Sequence, residues 1–301
     1  MSQEQTTSAG TVLVGVDGSE SARHALAWAA FIARRQHKRV RAVSCYHVPV
    51  LNRPDLIGFT IDQSIGEVLR DTHNGFIATA RERMAQLDPS VEFAGVVVEG
   101  VAQVALPRLA GRDDILVVGS LGTTGFVADL MGTVATAVIR HATCPVIVVP
   151  GEAGLPHGDR LGSVTVGVDG SASSDVALRW AFELAANGGA GELRVVHAWE
   201  TSPGIYMEVP EVPTGRYEQR GRNTLDHAVQ RLAEETGGLG QLPITKILSS
   251  DVSRVALTEA SRSTDLLVIG SHGHGVVARM LLGSISRSVV EHAQCAVAVI
   301  R

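Results

Sequence analysis

The sequence predicts an α/β protein: two tandem doubly wound domains, each a five-stranded parallel sheet in the order 3-2-1-4-5. Three observations lead there. Four sequence blocks occur twice, in the same order. Each copy alternates strand-sized Val/Ile/Leu runs with segments of helical apolar spacing. Those runs are continuously apolar rather than alternating, as strands covered on both faces are.

The first block, Thr11-Val-Leu-Val-Gly-Val-Asp17-Gly-Ser19, returns as Val164-Thr-Val-Gly-Val-Asp169-Gly-Ser171, 152 residues on from Asp17 to Asp169. His24-Ala-Leu-Ala-Trp28-Ala returns as Val176-Ala-Leu-Arg-Trp180-Ala at the same offset. Asp114-Ile-Leu-Val-Val-Gly119-Ser returns as Asp265-Leu-Leu-Val-Ile-Gly270-Ser, now 151 residues on. Arg140-His-Ala-Thr-Cys144 and the apolar run after it return as Glu291-His-Ala-Gln-Cys295 with its own run. A tandem duplication accounts for all four. It divides the chain into a polar tail (residues 1–10), a first domain (11–150), a Pro/Gly-rich linker (151–162) and a second domain (163–301).

Within the first copy, strand 1 is expected at Val12–Val16, where β-branched residues dominate. A helix follows, with Ala22, Ala25, Leu26, Ala29 and Ala33 on one face and Ser19 or Ser21 as its N-cap. Strand 2 spans Val40–Tyr46, and a loop through Pro49 and Pro54 leads to a long helix over Ile61–Leu87. Strand 3 spans Val91–Val98, a short helix Val101–Leu109, and strand 4 Ile115–Val118. A glycine-rich stretch, a helix near Val134–Arg140 and strand 5 at Val146–Val149 complete the unit. The second copy repeats this, with strand 2 at Leu193–Trp199 and an insertion around Pro203–Pro213.

The totals exclude several function classes. A formal charge of −5 and only two lysines, Lys38 and Lys246, leave no basic stripe for nucleic acid. No apolar run approaches the ~18 residues of a membrane span, and the polar N-terminus lacks a hydrophobic signal core. Three cysteines, Cys45, Cys144 and Cys295, form no disulfide framework, which implies a reduced, cytoplasmic protein. Cys144 and Cys295 read as buried small hydrophobes. His141 and His292 read as structural residues late in a helix, where His⁺ suits the dipole.

In a doubly wound sheet, ligands bind beyond the strand C-termini at the switch point, which strands 1 and 4 flank. Asp17 and Asp169 end strand 1, and Gly119 and Gly270 end strand 4. A strand-end Asp can simply cap the next helix. Its recurrence opposite a glycine-rich segment favours a ligand role, accepting from a hydroxyl or a base amino group at a nucleoside. The segments Gly119-Ser-Leu-Gly122 to Gly132-Thr133 and Gly270-Ser-His-Gly273 to Gly283-Ser284 lead into helix N-termini that suit an anion such as phosphate. Neither lysine follows a glycine, so no P-loop is present. Gly273-His-Gly275-Val-Val-Ala278 has the form of a dinucleotide fingerprint, but it follows strand 4 and has no counterpart in the first copy. His272 and His274 could donate to phosphate or ligate a metal, though no third ligand is evident. No Ser/His/Asp constellation and no working carboxylate pair stand out.

The spacing Gly-x2-Gly-x9-Gly-Ser/Thr after a strand, with Val-Gly-Val-Asp-Gly-Ser at the first strand, resembles the universal stress proteins. The likeness covers nearly the whole chain as two tandem family domains. It implies an adenine nucleotide alpha hydrolase-like fold and, from the glycine motif, the ATP-binding branch of the family. By the resemblance, Val16, Asp17, Cys45, Gly119, Gly122, Gly132, Thr133 and Val134 would form one nucleotide site. Val168, Asp169, Ala198, Gly270, Gly273, Gly283, Ser284, Ile285 and Ser286 would form the other. Backbone N–H groups of the glycine segments would hold the phosphates, and the backbones of Cys45 and Ala198 would contact adenine. Ser286 would add a hydroxyl beside the phosphates, where the first copy has Ala135.

A phosphate cradle without an obvious base, arginine finger or acidic metal site suggests a non-catalytic, nucleotide-dependent stress-response module. The alternatives are a slow ATPase, with magnesium or manganese held mainly through the phosphates, and a binder of AMP or cyclic AMP. The last strands, Val146–Val149 and Val297–Ile300, would be sheet edges covered by pairing. The family then implies an intrachain pseudo-dimer, and two chains that dimerise further. Thr124 stands where the second copy has Gly275, and the first copy lacks both histidines. The second site is therefore predicted to bind at least as tightly as the first. Isothermal titration of Gly122→Trp and Gly273→Trp variants checks this, and loss of binding only in the Gly122 variant would overturn it.

Overall fold

The structure, a computed structural model, describes residues 10–48, 63–122, 131–151, 156, 159–199, 214–273 and 283–301. The expected Pro-containing loops, His274, Gly275 and Thr124 lie outside them.

The first domain runs β1 (Val12–Gly15), α1 (Glu20–Arg35), β2 (Val40–Tyr46), α2 (Gln63–Leu87), β3 (Phe93–Glu99) and α3 (Ala102–Leu109). It closes with β4 (Ile115–Gly119), α4 (Thr133–His141) and β5 (Val146–Val149). The second runs β6 (Leu161–Gly167), α5 (Ala172–Leu184), β7 (Ala190–Ala198), α6 (Thr214–Thr236) and β8 (Ile244–Ser249). α7 (Ser253–Ala260), β9 (Leu266–Gly270), α8 (Ser284–His292) and β10 (Ala296–Ile300) follow. β6 starts at Leu161, inside the segment assigned to the linker, because Ser163 N–H reaches the Asp265 carboxylate and Leu161 pairs with Ala190. β7 also begins earlier than expected, at Ala190, directly after a kinked turn over Ala185–Gly189 in which Gly188 takes φ of +77°.

The ten strands of the described residues join one sheet, in the order β3-β2-β1-β4-β5-β10-β9-β6-β7-β8. Each half has the 3-2-1-4-5 order. Pairing within each half is parallel, and the seam between β5 and β10 is antiparallel, matching Val297 with Val148, Ala298 with Ile147 and Val299 with Val146. The edge strands foreseen in the sequence therefore pair with each other inside one chain.

Local chemistry explains the elements that frame the site. Ser19 accepts the Ala22 N–H and caps α1, whose first turn carries Glu20 and whose last turn carries Arg34 and Arg35. Ser171 caps α5 in the same way through Ser174 N–H. Ser21, the other candidate cap, is instead spent on the Leu121 carbonyl.

Side chains alternate across the sheet, so Val12 and Val14 face one layer and Leu13 the other. The first layer packs Trp28 and Ile32 of α1 and Leu178 and Ala181 of α5 against the strands. The second packs Val138, Ile139 and Val289 of α4 and α8. Both layers contain residues of both domains, with Ile147 and Ala298 in one and Val148 and Val297 in the other. The C-terminal Arg301 guanidinium also crosses the seam to the Ile139 carbonyl in the last turn of α4.

A shared core predicts shared cooperativity. Ile147→Asp places a carboxylate at a fully buried seam position, at a cost of ~3 kcal/mol or more. In urea denaturation the two domains should lose stability together. Two resolved transitions, with only one of them shifted, would contradict this.

Candidate functional site

Each domain has a cleft beyond the C-terminal ends of its strands, at the switch point between the first and fourth strands. In the first domain all eight residues singled out in the sequence line it: Val16, Asp17, Cys45, Gly119, Gly122, Gly132, Thr133 and Val134. All nine of the second set line the other: Val168, Asp169, Ala198, Gly270, Gly273, Gly283, Ser284, Ile285 and Ser286. The first cleft encloses about 480 Å³ and the second about 180 Å³.

The acidic end of each cleft is built by a tight turn. Gly18 and Gly170 take φ of +82° and +83°, a conformation open to glycine, and send the chain from strand to helix. Asp17 Oδ1 accepts the Ser19 N–H at 2.9 Å. Asp169 Oδ1 accepts both the N–H and the hydroxyl of Ser171, at 2.9 and 2.6 Å. The other carboxylate oxygen faces the glycine segment. A Cβ on Gly122 would stand 3.1 Å from Asp17 Oδ2, and one on Gly273 would stand 2.6 Å from Asp169 Oδ2.

Glycine at the end of β4 and β9 has a different cause. A Cβ on Gly119 would lie 2.4 Å from Ser21 Oγ and 2.8 Å from the Ser21 carbonyl carbon, and one on Gly270 would lie 2.5 Å from Ser173 Oγ. The first turn of α1 or α5 sits directly on the strand end, which brings the Asp turn and the glycine segment together.

The opposite end is a helix N-terminus. Gly132 and Gly283 are the N-caps of α4 and α8, and neither offers a side-chain cap. Gly132 N–H bonds the Ser120 carbonyl at 2.7 Å, and Gly283 N–H bonds the Ser271 carbonyl at 3.0 Å, tying each segment back to its strand. The N–H groups of residues 133–135 and 284–286 have no acceptor within their helices, a geometry that receives anionic oxygens. Ser286 lines the cleft, but its hydroxyl hydrogen goes to the Gly270 carbonyl at 2.9 Å, leaving the oxygen as an acceptor. The floor between the two ends is apolar, with Val43, Val118 and Leu106 in one cleft and Val196, Ile269 and Leu257 in the other.

The clefts differ in their polar groups. His272 stands where the first has Leu121. Its Nδ1 meets Ser271 Oγ at 2.8 Å, while its Nε2 is buried without a hydrogen-bond partner among the described residues. Ser173 Oγ is likewise buried without one, whereas its counterpart Ser21 is satisfied. Burial pushes the Cys45 thiol up to about 11, so it lines the first cleft as a neutral group. Cys144 and Cys295 are buried in the core, as expected. His141 and His292 are exposed in the last turns of α4 and α8, and His292 Nδ1 donates to the Ser288 carbonyl. Among the described residues no group of three or more His, Cys, Asp or Glu is placed to hold a metal, and no helix is long and apolar enough to cross a membrane.

Sequence reasoning missed the cleft wall contributed by α3 and α7. Ala102 and Leu106 line one cleft, and Ser253 and Leu257 the other. The signal was present, since Val101-Ala-Gln-Val-Ala-Leu106 returns as Val252-Ser-Arg-Val-Ala-Leu257.

Comparison with known proteins fits this duplicated architecture. The model of the Universal stress protein family matches residues 9–150 and again 161–301. The chain belongs to that family. A universal stress protein of Mycobacterium tuberculosis is 29% identical over 293 residues, covering 96% of both chains. A second from the same organism is 30% identical over 321 residues, covering 100% of this chain and 97% of the relative. The crystal structure of a universal stress protein from Archaeoglobus fulgidus shares the fold, with a TM-score of 0.66 at 18% identity, over 97% of this chain and 96% of that one.

The close approach at the strand ends gives a direct test. Gly119→Ala and Gly270→Ala must each displace the first turn of a helix, at a cost of ~1–3 kcal/mol. Both should lower the melting temperature. Unchanged melting would show that the helix start is not fixed by these contacts.

Proposed function

We propose that this universal stress protein binds ATP in both clefts and acts as a nucleotide-dependent regulatory module rather than as an efficient enzyme. The observation that carries the reading is the polarity of each cleft: a strand-end carboxylate at one end, an apolar floor, and a helix N-terminus without a side-chain cap at the other. Adenine suits the floor, with the backbones at Cys45 and Ala198 in reach of its edge. Asp17 and Asp169 would accept from the ribose hydroxyls. The N–H groups at 133–135 and 284–286 would take the phosphate oxygens. The glycine steps at Gly122 and Gly273 leave the space that a Cβ would fill against the carboxylate. A magnesium or manganese ion would enter with the phosphates.

The test is chemical. Protein purified without added nucleotide should release an adenine nucleotide identifiable by mass spectrometry. Titration of nucleotide-free protein should show ATP binding more tightly than AMP or cyclic AMP. Single-turnover hydrolysis should be no faster than in Gly273→Trp. Tighter binding of cyclic AMP, or clear hydrolysis above that variant, would replace the proposal with one of its alternatives.

A further inference from the structure

Behind each cleft stands an imidazole that the repeat conceals, because the two domains supply it from different elements. In the first domain, Ser44 of β2 donates its hydroxyl to the Val16 carbonyl at 2.7 Å and meets His73 Nδ1 of α2, also at 2.7 Å. In the second, His197 of β7 reaches the Val168 carbonyl directly through Nδ1, at 2.7 Å. The strand positions correspond. Ser44 follows Val43, which pairs with Gly15, and His197 follows Val196, which pairs with Gly167. The helix positions correspond as well, since His73 precedes buried Ala80 by seven residues and Gly221 precedes buried Ala228 by seven.

Gly221 is the complement of the exchange. A Cβ there would stand 3.2 Å from His197 Cδ2 and 2.7 Å from Leu248 Cδ1. A ring on the strand therefore requires an empty position on the helix, and a ring on the helix requires a small residue on the strand. Volume alone does not explain why both rings are imidazoles. The common feature is a hydrogen-bond path that ends on the equivalent carbonyl, direct from His197 and relayed through Ser44 from His73. A carbonyl only accepts, so His197 Nδ1 carries a proton. The Ser44 hydroxyl has given its hydrogen to Val16, so His73 Nδ1 carries one too.

That carbonyl belongs to the planar peptide joining Val16 to Asp17, or Val168 to Asp169. Fixing it fixes the peptide plane from which the cleft carboxylate departs. In the first domain the brace extends further. The His73 ring meets Phe76 edge-on, with centroids 5.2 Å apart, and Phe76 lies against the Gly18 turn. Burial lowers the His73 pKa while the Asp17 carboxylate opposes that shift, so the two groups sense one another.

We infer that His73 and His197 are equivalent positioning residues, His197 holding the carbonyl before the strand-end carboxylate directly and His73 holding it through the Ser44 hydroxyl, so that Asp17 or Asp169 is aimed into the cleft. The inference rests on the nucleotide reading above, for which the aimed group would meet the ribose.

The test is a swap in the full-length chain, read by ATP titration together with thermal melting. His73→Ala should weaken one of the two sites roughly tenfold, the scale of one hydrogen bond. The double variant Ser44→His/His73→Gly, which copies the second domain, should return that site to within about threefold of the parent. His197→Ser/Gly221→His should do the same for the other site relative to His197→Ala. His73→Asn, which keeps a side-chain N–H donor, should also stay within about threefold and guards against misfolding of the swap. Unchanged affinity in His73→Ala overturns the inference. So does a swap and an Asn variant both as weak as His73→Ala while melting like the parent. Parent protein that takes up no ATP defeats the nucleotide reading itself and the inference with it, and that outcome is visible before any variant is made.

Discussion

The antiparallel pairing of β5 with β10 is the constraint on which the rest of the molecule depends. Without it each domain would present a short strand of Val, Ile and Ala with unpaired backbone groups and two apolar faces, a template for association with any other edge. Pairing the two edges within one chain satisfies those groups. It also lets the helical layers on both faces run across the seam, so Val148 and Val297, or Ile147 and Ala298, serve a single core. The Arg301 contact with the Ile139 carbonyl adds a polar tie at the same place, engaging a backbone group that the end of α4 leaves without an intrahelical donor.

The clefts follow from how closely helix and strand meet. Because Gly119 and Gly270 carry no side chain, the first turns of α1 and α5 rest on the ends of β4 and β9. That contact brings the Asp turn beside the glycine segment. The same glycine segment then delivers the start of α4 or α8, whose N-cap glycines contribute no side-chain acceptor. A carboxylate and a set of N–H groups without an intrahelical acceptor are thus held at opposite ends of an apolar floor by backbone packing. Few side chains are needed, and none of the essential contacts depends on a long flexible one.

Much of this was legible in the sequence. The repeats gave the domain count, the strand-end Asp and Gly gave the switch point, and every nominated site residue lines a cleft. What remained hidden has specific physical causes. The α3 and α7 walls contain residues as plain as Ala102 and Leu106, which carry no chemical signature on their own and become visible only as a repeated pattern. The brace behind the clefts was hidden for the opposite reason. His73 and His197 occupy different elements, so aligning the copies sets His73 against Gly221 and Ser44 against His197. Only the three-dimensional arrangement shows that both rings connect to the equivalent carbonyl, His197 directly and His73 through Ser44. The early start of β6 depended on a distant partner, Asp265, which a linear reading does not place beside Ser163.

The direction of the seam has a consequence for how the two clefts can communicate. Every strand of the first domain runs parallel to β5 and every strand of the second runs parallel to β10, while β5 and β10 run opposite ways. The two sets of strand C-termini therefore open at opposite rims of one continuous sheet. The two clefts accordingly lie at opposite rims and do not adjoin one another. Any influence of one on the other has to cross the seam, through the strands or through the helical layers and the Arg301 contact that span it. A partner docked on one rim would thus meet the cleft side of one half beside the reverse side of the other.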